Sequence, residues 1–202
     1  MARILQAKGK IVRRFGINIF GNPKYDKLLK RKPAPPGELR QRRPRQTEFG
    51  RQLLEKQKLK FSYGVSERQL RNIFKKAKVM GGVTGYNLLL LLERRLDNVV
   101  YKAGFASSRN QARQFVSHGH ILYNNKRVTI PSINVKVGDK IEVIDKKGSV
   151  VLIRRWLTEN SARAVPEWLK REELNVEVTM YPTRDMIPSV AEEQQIVEFF
   201  SK

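Results

Sequence analysis

Apolar positions first recur with a helical period after Thr47, and from there the chain reads as a series of short amphipathic elements. Phe49, Leu53, Leu54 and Phe61 fall on one side of a helix that Thr47 can cap, with Arg51, Lys56, Lys58 and Lys60 on the others. A second start is sharper: Ser66 and Gln69 have the spacing of a capping box, and Val65 and Leu70 that of a hydrophobic staple. This helix turns Leu70, Ile73, Phe74 and Ala77 inward and Arg68, Arg71, Lys75, Lys76 and Lys78 outward, and Gly81-Gly82 stops it. The leucine-rich run after Thr84 predicts a third helix continuing to Ala103, with Gly104 as its stop. A short helix follows Ser107 or Ser108, where Ala112, Phe115 and Val116 share an arc and Arg109 and Arg113 stack at i, i+4 beside it.

Beyond that helix the period changes from 3.6 to 2. Ile121-Leu122-Tyr123 and Lys126-Arg127-Val128 flank Asn124-Asn125, a pair that tolerates the positive φ of a two-residue hairpin. Further strands are predicted at 140–144 and 150–153, across an Asp145-Lys146-Lys147-Gly148 turn, and another at 176–181. The stretch 156–175 is mixed, with Trp168 expected to pack on the sheet or at a junction. Residues 191–200 allow a last helical turn or two.

Residues 1–46 lack a sustained pattern. Scattered bases surround the small apolar stretch 15–20, and the Pro33, Pro35 and Pro36 cluster stiffens the backbone toward polyproline II. This segment is expected to be a basic arm, largely disordered alone and ordering on a phosphate surface.

Charge changes the picture from fold to partner. The 202 residues carry 41 Lys+Arg against 19 Asp+Glu, a net of +22, which points to a polyanion and above all to nucleic acid. The nets of residues 1–60, 61–155 and 156–202 are +14, +12 and −4. The first three quarters therefore face the polyanion, and the acidic, aromatic-ended tail suits docking onto protein, either the chain's own helices or a basic neighbour. Cysteine is absent, which excludes disulfides and thiolate metal sites. Residues 1–10 lack the apolar stretch of a signal peptide, and the longest apolar run, Leu88–Leu92, falls far short of the ~20 residues a bilayer needs. A soluble cytoplasmic protein without membrane contact is expected.

The chemistry on offer is that of binding. Guanidinium groups one turn apart, at Arg109 and Arg113, suit adjacent phosphates, and the helix start at Ser107-Ser108 offers backbone N–H groups to an anion. Gln111, Gln114, Ser117 and His118 add donors for sugar and phosphate oxygens. His118 and His120 lack the third ligand of a metal site and the carboxylate of an acid–base site, so no metal, no cofactor and no catalytic residue is assigned. Asp97 and Glu93 read as ion-paired.

These segments, from Tyr63-Gly64-Val65-Ser66-Glu67-Arg68-Gln69 through 91–101 (LLERRLDNVVY), 112–118 (ARQFVSH) and Ile130-Pro131-Ser132 to the terminal 196–202 (IVEFFSK), closely resemble the universal small-subunit ribosomal protein four family in its bacterial form. The resemblance implies an α+β fold: a discontinuous helical domain with an inserted small α/β RNA-binding module, in which arginine-bearing helices pack on a short antiparallel sheet, and an extended basic N-terminal arm. The corresponding segments are an arm at 1–46, a first helical part at 47–92, the module at 93–155, a connection at 156–174 and a second helical part at 175–202. It further implies a structural, non-enzymatic protein that binds small-subunit ribosomal RNA at a five-helix junction early in assembly. Such a protein touches the fifth small-subunit protein at an interface linked to decoding accuracy and lies near the mRNA entry. Candidate RNA contacts are then Arg3, Lys8, Lys10, Arg13, Arg14, Arg40, Arg42, Arg43 and Arg45 in the arm. In the helices they are Arg51, Lys56, Lys58, Lys60, Tyr63, Arg68, Gln69, Arg71 and Lys75, and in the module Arg95, Asn98, Ser107, Ser108, Arg109, Gln111, Arg113, Gln114, Ser117, His118, His120 and Lys126. Two departures stand out: the zinc-binding cysteines of many relatives are missing, and the usual Pro-Pro-Gly-Gln-His-Gly reads Pro35-Pro36-Gly37-Glu38-Leu39-Arg40. An RNA-modifying enzyme built on the same module would need a catalytic domain that the basic helices before it do not supply. An RNA chaperone would bind many RNAs alike.

Overall fold

The computed structural model describes residues 6–37, 47–159 and 163–201. Arg3, Arg40, Arg42, Arg43, Arg45 and the altered segment 38–40 lie outside the described residues. The chain divides into two compact units, one running up to Lys75 and resuming at Ser189, the other comprising Lys76–Pro188.

In the first unit, residues expected to form an arm make two helices, α1 (Lys8–Phe15) and α2 (Pro23–Arg31). α1 buries Ile11, Val12 and Phe15, an i, i+1, i+4 stripe flanked by bases. Ile11, Phe15 and Ile19 join Phe61 in a core cluster on which Leu54 and Val190 pack. α2 has a sharp start, with Asn22 accepting from the Lys24 N–H at 2.9 Å and Pro23 in the first turn. Arg13 folds the proline segment back onto α1 by donating from Nε to the Ala34 carbonyl, 2.9 Å away.

α3 (Glu48–Tyr63) begins at Thr47 as expected, the Thr47 hydroxyl accepting from the Gly50 N–H at 3.2 Å. The capping box of α4 (Glu67–Val79) forms in both directions: Ser66 N–H donates to Gln69 Oε1 (3.1 Å) and Gln69 N–H to Ser66 Oγ (3.2 Å). The acidic tail docks on this unit's own helices. α9 (Glu193–Ser201) stacks Phe200 on Phe74 (centroids 4.7 Å) and sets Phe199 against Phe49, and Gln52 donates to Glu198 at 2.9 Å.

The second unit begins within α4. α5 (Thr84–Glu93) is followed by α6 (Leu96–Lys102), so the single helix expected over 84–103 breaks at Arg94-Arg95. The break is a tertiary effect. Arg95 turns extended and bridges to Asn134, and the Leu96 and Asp97 N–H groups donate to the Ile133 (2.8 Å) and Pro131 (3.1 Å) carbonyls. Gly104, at φ +86°, ends the segment.

α7 (Arg109–Ser117) leads into β1 (Ile121–Tyr123) and β2 (Lys126–Arg127), whose turn residues Asn124 and Asn125 have φ of 48° and 63°. β3 (Lys140–Val143), β4 (Leu169–Glu172) and β5 (Asn175–Val178) complete an antiparallel sheet in the order β2-β1-β3-β5-β4. Two expectations are corrected here. Residues 150–153 are not a strand but part of α8 (Lys147–Glu159), because Ile153, Trp156 and Leu157 pack on the core with helical spacing. Residues 175–178 extend this sheet rather than the helical domain, and α5 also belongs to this unit. The core gathers Phe105, Phe115, Ile121, Ile141, Ile153, Val178 and a buried Trp168, each side chain contributing about 1.5–3 kcal/mol.

Candidate nucleic-acid interface

The candidate site is built around α7, whose start is capped reciprocally. Ser108 Oγ accepts from the Gln111 N–H (3.4 Å), while Gln111 Oε1 accepts from the Ser107 N–H (2.8 Å) and hydroxyl (2.7 Å). Ser108 is thus the cap and Ser107 its brace.

The two arginines on this helix are held from within the module. Arg109 donates from Nε to Asn98 Oδ1 at 2.8 Å, and its guanidinium lies 4.7 Å from the centre of the Tyr101 ring. Asn98 is itself fixed by donating to the Glu93 carbonyl (3.0 Å) and carboxylate (2.7 Å). Arg113 pairs with Asp97 through Nε (2.9 Å) and Nη2 (2.7 Å), and the same carboxylate takes Arg95 through Nε (3.1 Å) and Nη2 (2.9 Å). Asp97 is 2% exposed, so one buried carboxylate is shared by two arginines and balances one of their two charges. The expected pairing is present at both acids, Asp97 with Arg95 and Arg113 and Glu93 with Lys102 (3.9 Å). Burial pushes the Lys102 ammonium below its ordinary value, and Arg109 and Arg163 push it further against the opposing pull of Glu93. Arg163, which the sequence reading missed, lies 4.4 Å from the centre of the Tyr101 ring and donates to the Ala106 carbonyl at 3.2 Å.

The other candidates divide by exposure. Lys10, Arg14, Arg51, Arg68, Gln69, Arg71, Lys75, Gln114, His118 and Lys126 are exposed, and Lys8, Arg13, Lys58, Lys60, Ser117 and His120 are half-buried. Lys56, Tyr63, Arg95 and Asn98 are buried. Lys56 pairs with Glu67 (2.7 Å) and sits 4.2 Å from the centre of the Phe199 ring. The Glu67 carboxyl, though raised by burial, is held below its ordinary value by Lys56 and Lys60. Burial pushes Lys8 down. Buried members serve the fold first; the exposed ones are open to an external anion.

Residues 3–93 match the family model described as "Ribosomal protein S4/S9 N-terminal domain", and residues 94–141 match the S4 domain. The small ribosomal subunit protein uS4 of Borrelia hermsii is 59% identical over 200 residues, 97% of this chain and 96% of the relative. The uS4 proteins of Borreliella burgdorferi strain ZS7 and Borreliella afzelii are 56% and 54% identical over the same shares. This chain belongs to the uS4 family. The family is one of structural ribosomal proteins, not of enzymes. The S4-domain match contains α6, α7, β1, β2 and the Asp97 network, whereas α8, β4 and β5 lie beyond it. Like this chain's own cysteine-free sequence, the described residues contain no cluster of three or more His, Asp or Glu able to hold a metal. Among them, no helix is long and apolar enough to cross a membrane.

Proposed function

We propose that this chain is a structural constituent of the small ribosomal subunit that binds its RNA through exposed lysines and arginines. The observation that carries the reading is uS4 family membership along nearly the whole length, in a chain with a net charge of +22. Basic groups displace counterions from converging RNA strands, and their release drives binding and holds those strands together. The finer reading is a multi-helix junction as the primary site, bound early, with the fifth small-subunit protein as a protein neighbour and mRNA near the entry channel. All of this takes place in the cytoplasm. The dense basic composition of residues 1–60 supports the junction, since it offers charge to several strands at once.

Sedimentation of a lysate tests this. The expected result is one copy per small subunit, retained through a high-salt wash. Release into the soluble fraction would support a chaperone instead.

A further inference from the structure

Where α7 ends, the chain turns through His118-Gly119-His120 into β1. Gly119 holds φ +70°, and a Cβ there would stand 2.3 Å from Arg127 Nε. Without that Cβ, Arg127 of β2 folds across the turn, its Nε donating to the Gly119 carbonyl (3.2 Å) and its Nη2 to the His118 carbonyl (3.3 Å). The His118 and His120 rings lie 6.1 Å apart. His120 stands edge-on to Phe115, and its Nδ1 is 2.8 Å from the hydroxyl of Ser149, a buried side chain of α8.

The charged groups facing His120 are His118 from the end of α7, Arg127 from β2 and Lys146 from the turn before α8. All three disfavour a positive charge on it, in addition to burial, and His120 is held below its ordinary value. No carboxylate forms an ion pair with any of the four among the described residues, Asp145 beside Lys146 included. His118, Arg127 and Lys146 are exposed. The fold has thus collected like charges around a half-buried imidazole, with its Nδ1 anchored, and pairs none of them with a carboxylate among the described residues.

We propose that His118, His120, Arg127 and Lys146 form one site for an RNA backbone phosphate, and that His120 takes up a proton when the phosphate seats. This deepens the RNA-binding reading and rests on it. Neither Arg127 nor Lys146 is signalled by a helical arginine pattern; the turn at Gly119 brings them to the histidines. The phosphate supplies the missing negative charge, and an opposite charge close to an imidazole favours its protonated form.

The test is the affinity of the full chain for small-subunit ribosomal RNA from about pH 5.5 to about pH 8 at fixed salt. Affinity is expected to fall as pH rises, with a slope of up to about one proton per complex. His120→Asn keeps a polar group for Ser149 and cannot titrate, so it should flatten that slope. Lys146→Ala should lower affinity about threefold to tenfold and reduce the salt slope by about one, at unchanged melting temperature. A pH slope the same in His120→Asn as in the unmodified chain, or an unaltered salt slope in Lys146→Ala, overturns the site while leaving RNA binding standing. Failure of the unmodified chain to bind this RNA at all removes the functional reading, and this inference with it.

Discussion

The two ends of α7 treat positive charge in opposite ways. At the Ser108 end, Arg113 and Arg95 share a buried Asp97, and Arg109 rests between Asn98 and the Tyr101 ring. At the His118 end, four groups that carry or can carry positive charge meet, and none of them is ion-paired with a carboxylate among the described residues. The first arrangement ties α6 to α7 and sets the course of the module. The second leaves charge to be balanced from outside. A basic residue on a helix face therefore does not reveal its task by spacing alone; the presence or absence of a buried acid beside it does.

The largest effect that could break this contrast is at Asp97. Asp97→Asn leaves Arg95 and Arg113 without their counter-charge and should lower stability by about 3–5 kcal/mol, measured by denaturant unfolding. A loss below about 1 kcal/mol would show that these arginines are not held in the way described. Gly119→Ala attacks the other end. It forces a side chain into positive φ and against Arg127, and should cost about 1–2 kcal/mol in the same assay while weakening RNA binding.

Ser108→Ala removes only the cap and should cost about 1 kcal/mol, with affinity for RNA changed no more than stability explains. The smallest effect is one of pH on the free protein. His120 is held below its unfolded value of 6.5, so its contribution to stability is fully present above that pH and is lost as pH falls through the folded value. Thermal melts of His120→Asn should lack this acid-side decline, and a decline identical to the unmodified chain's would remove His120 as its source.

Much of the α7 region was legible because its signals are local. The caps at Thr47, Ser66 and Ser108 depend on residues three apart, and the Asn124-Asn125 turn on two adjacent residues. What escaped depended on distant partners. The break at Arg94-Arg95 exists because the Pro131 and Ile133 carbonyls accept from the N–H groups it exposes and the Val135 N–H donates to the Arg94 carbonyl. The β-branched run Val150-Val151 concealed a helix whose buried face includes Ile153. In α1, basic neighbours obscured a three-residue apolar stripe, although Asn22-Pro23 was a readable start for α2. At the site, Arg109 and Arg113 stood out by spacing, but their buried partners did not. Arg127, Lys146 and Arg163 gave no periodic signal, since a glycine turn, a sheet edge and a loop place them.

The most direct measurement is a salt titration of binding between the full chain and small-subunit ribosomal RNA, with an unrelated RNA duplex of equal length as competitor. The expected result is a log–log slope equivalent to several phosphate contacts and a preference for the ribosomal RNA that survives at high salt. A shallow slope, or equal affinity for both RNAs across the titration, would contradict it.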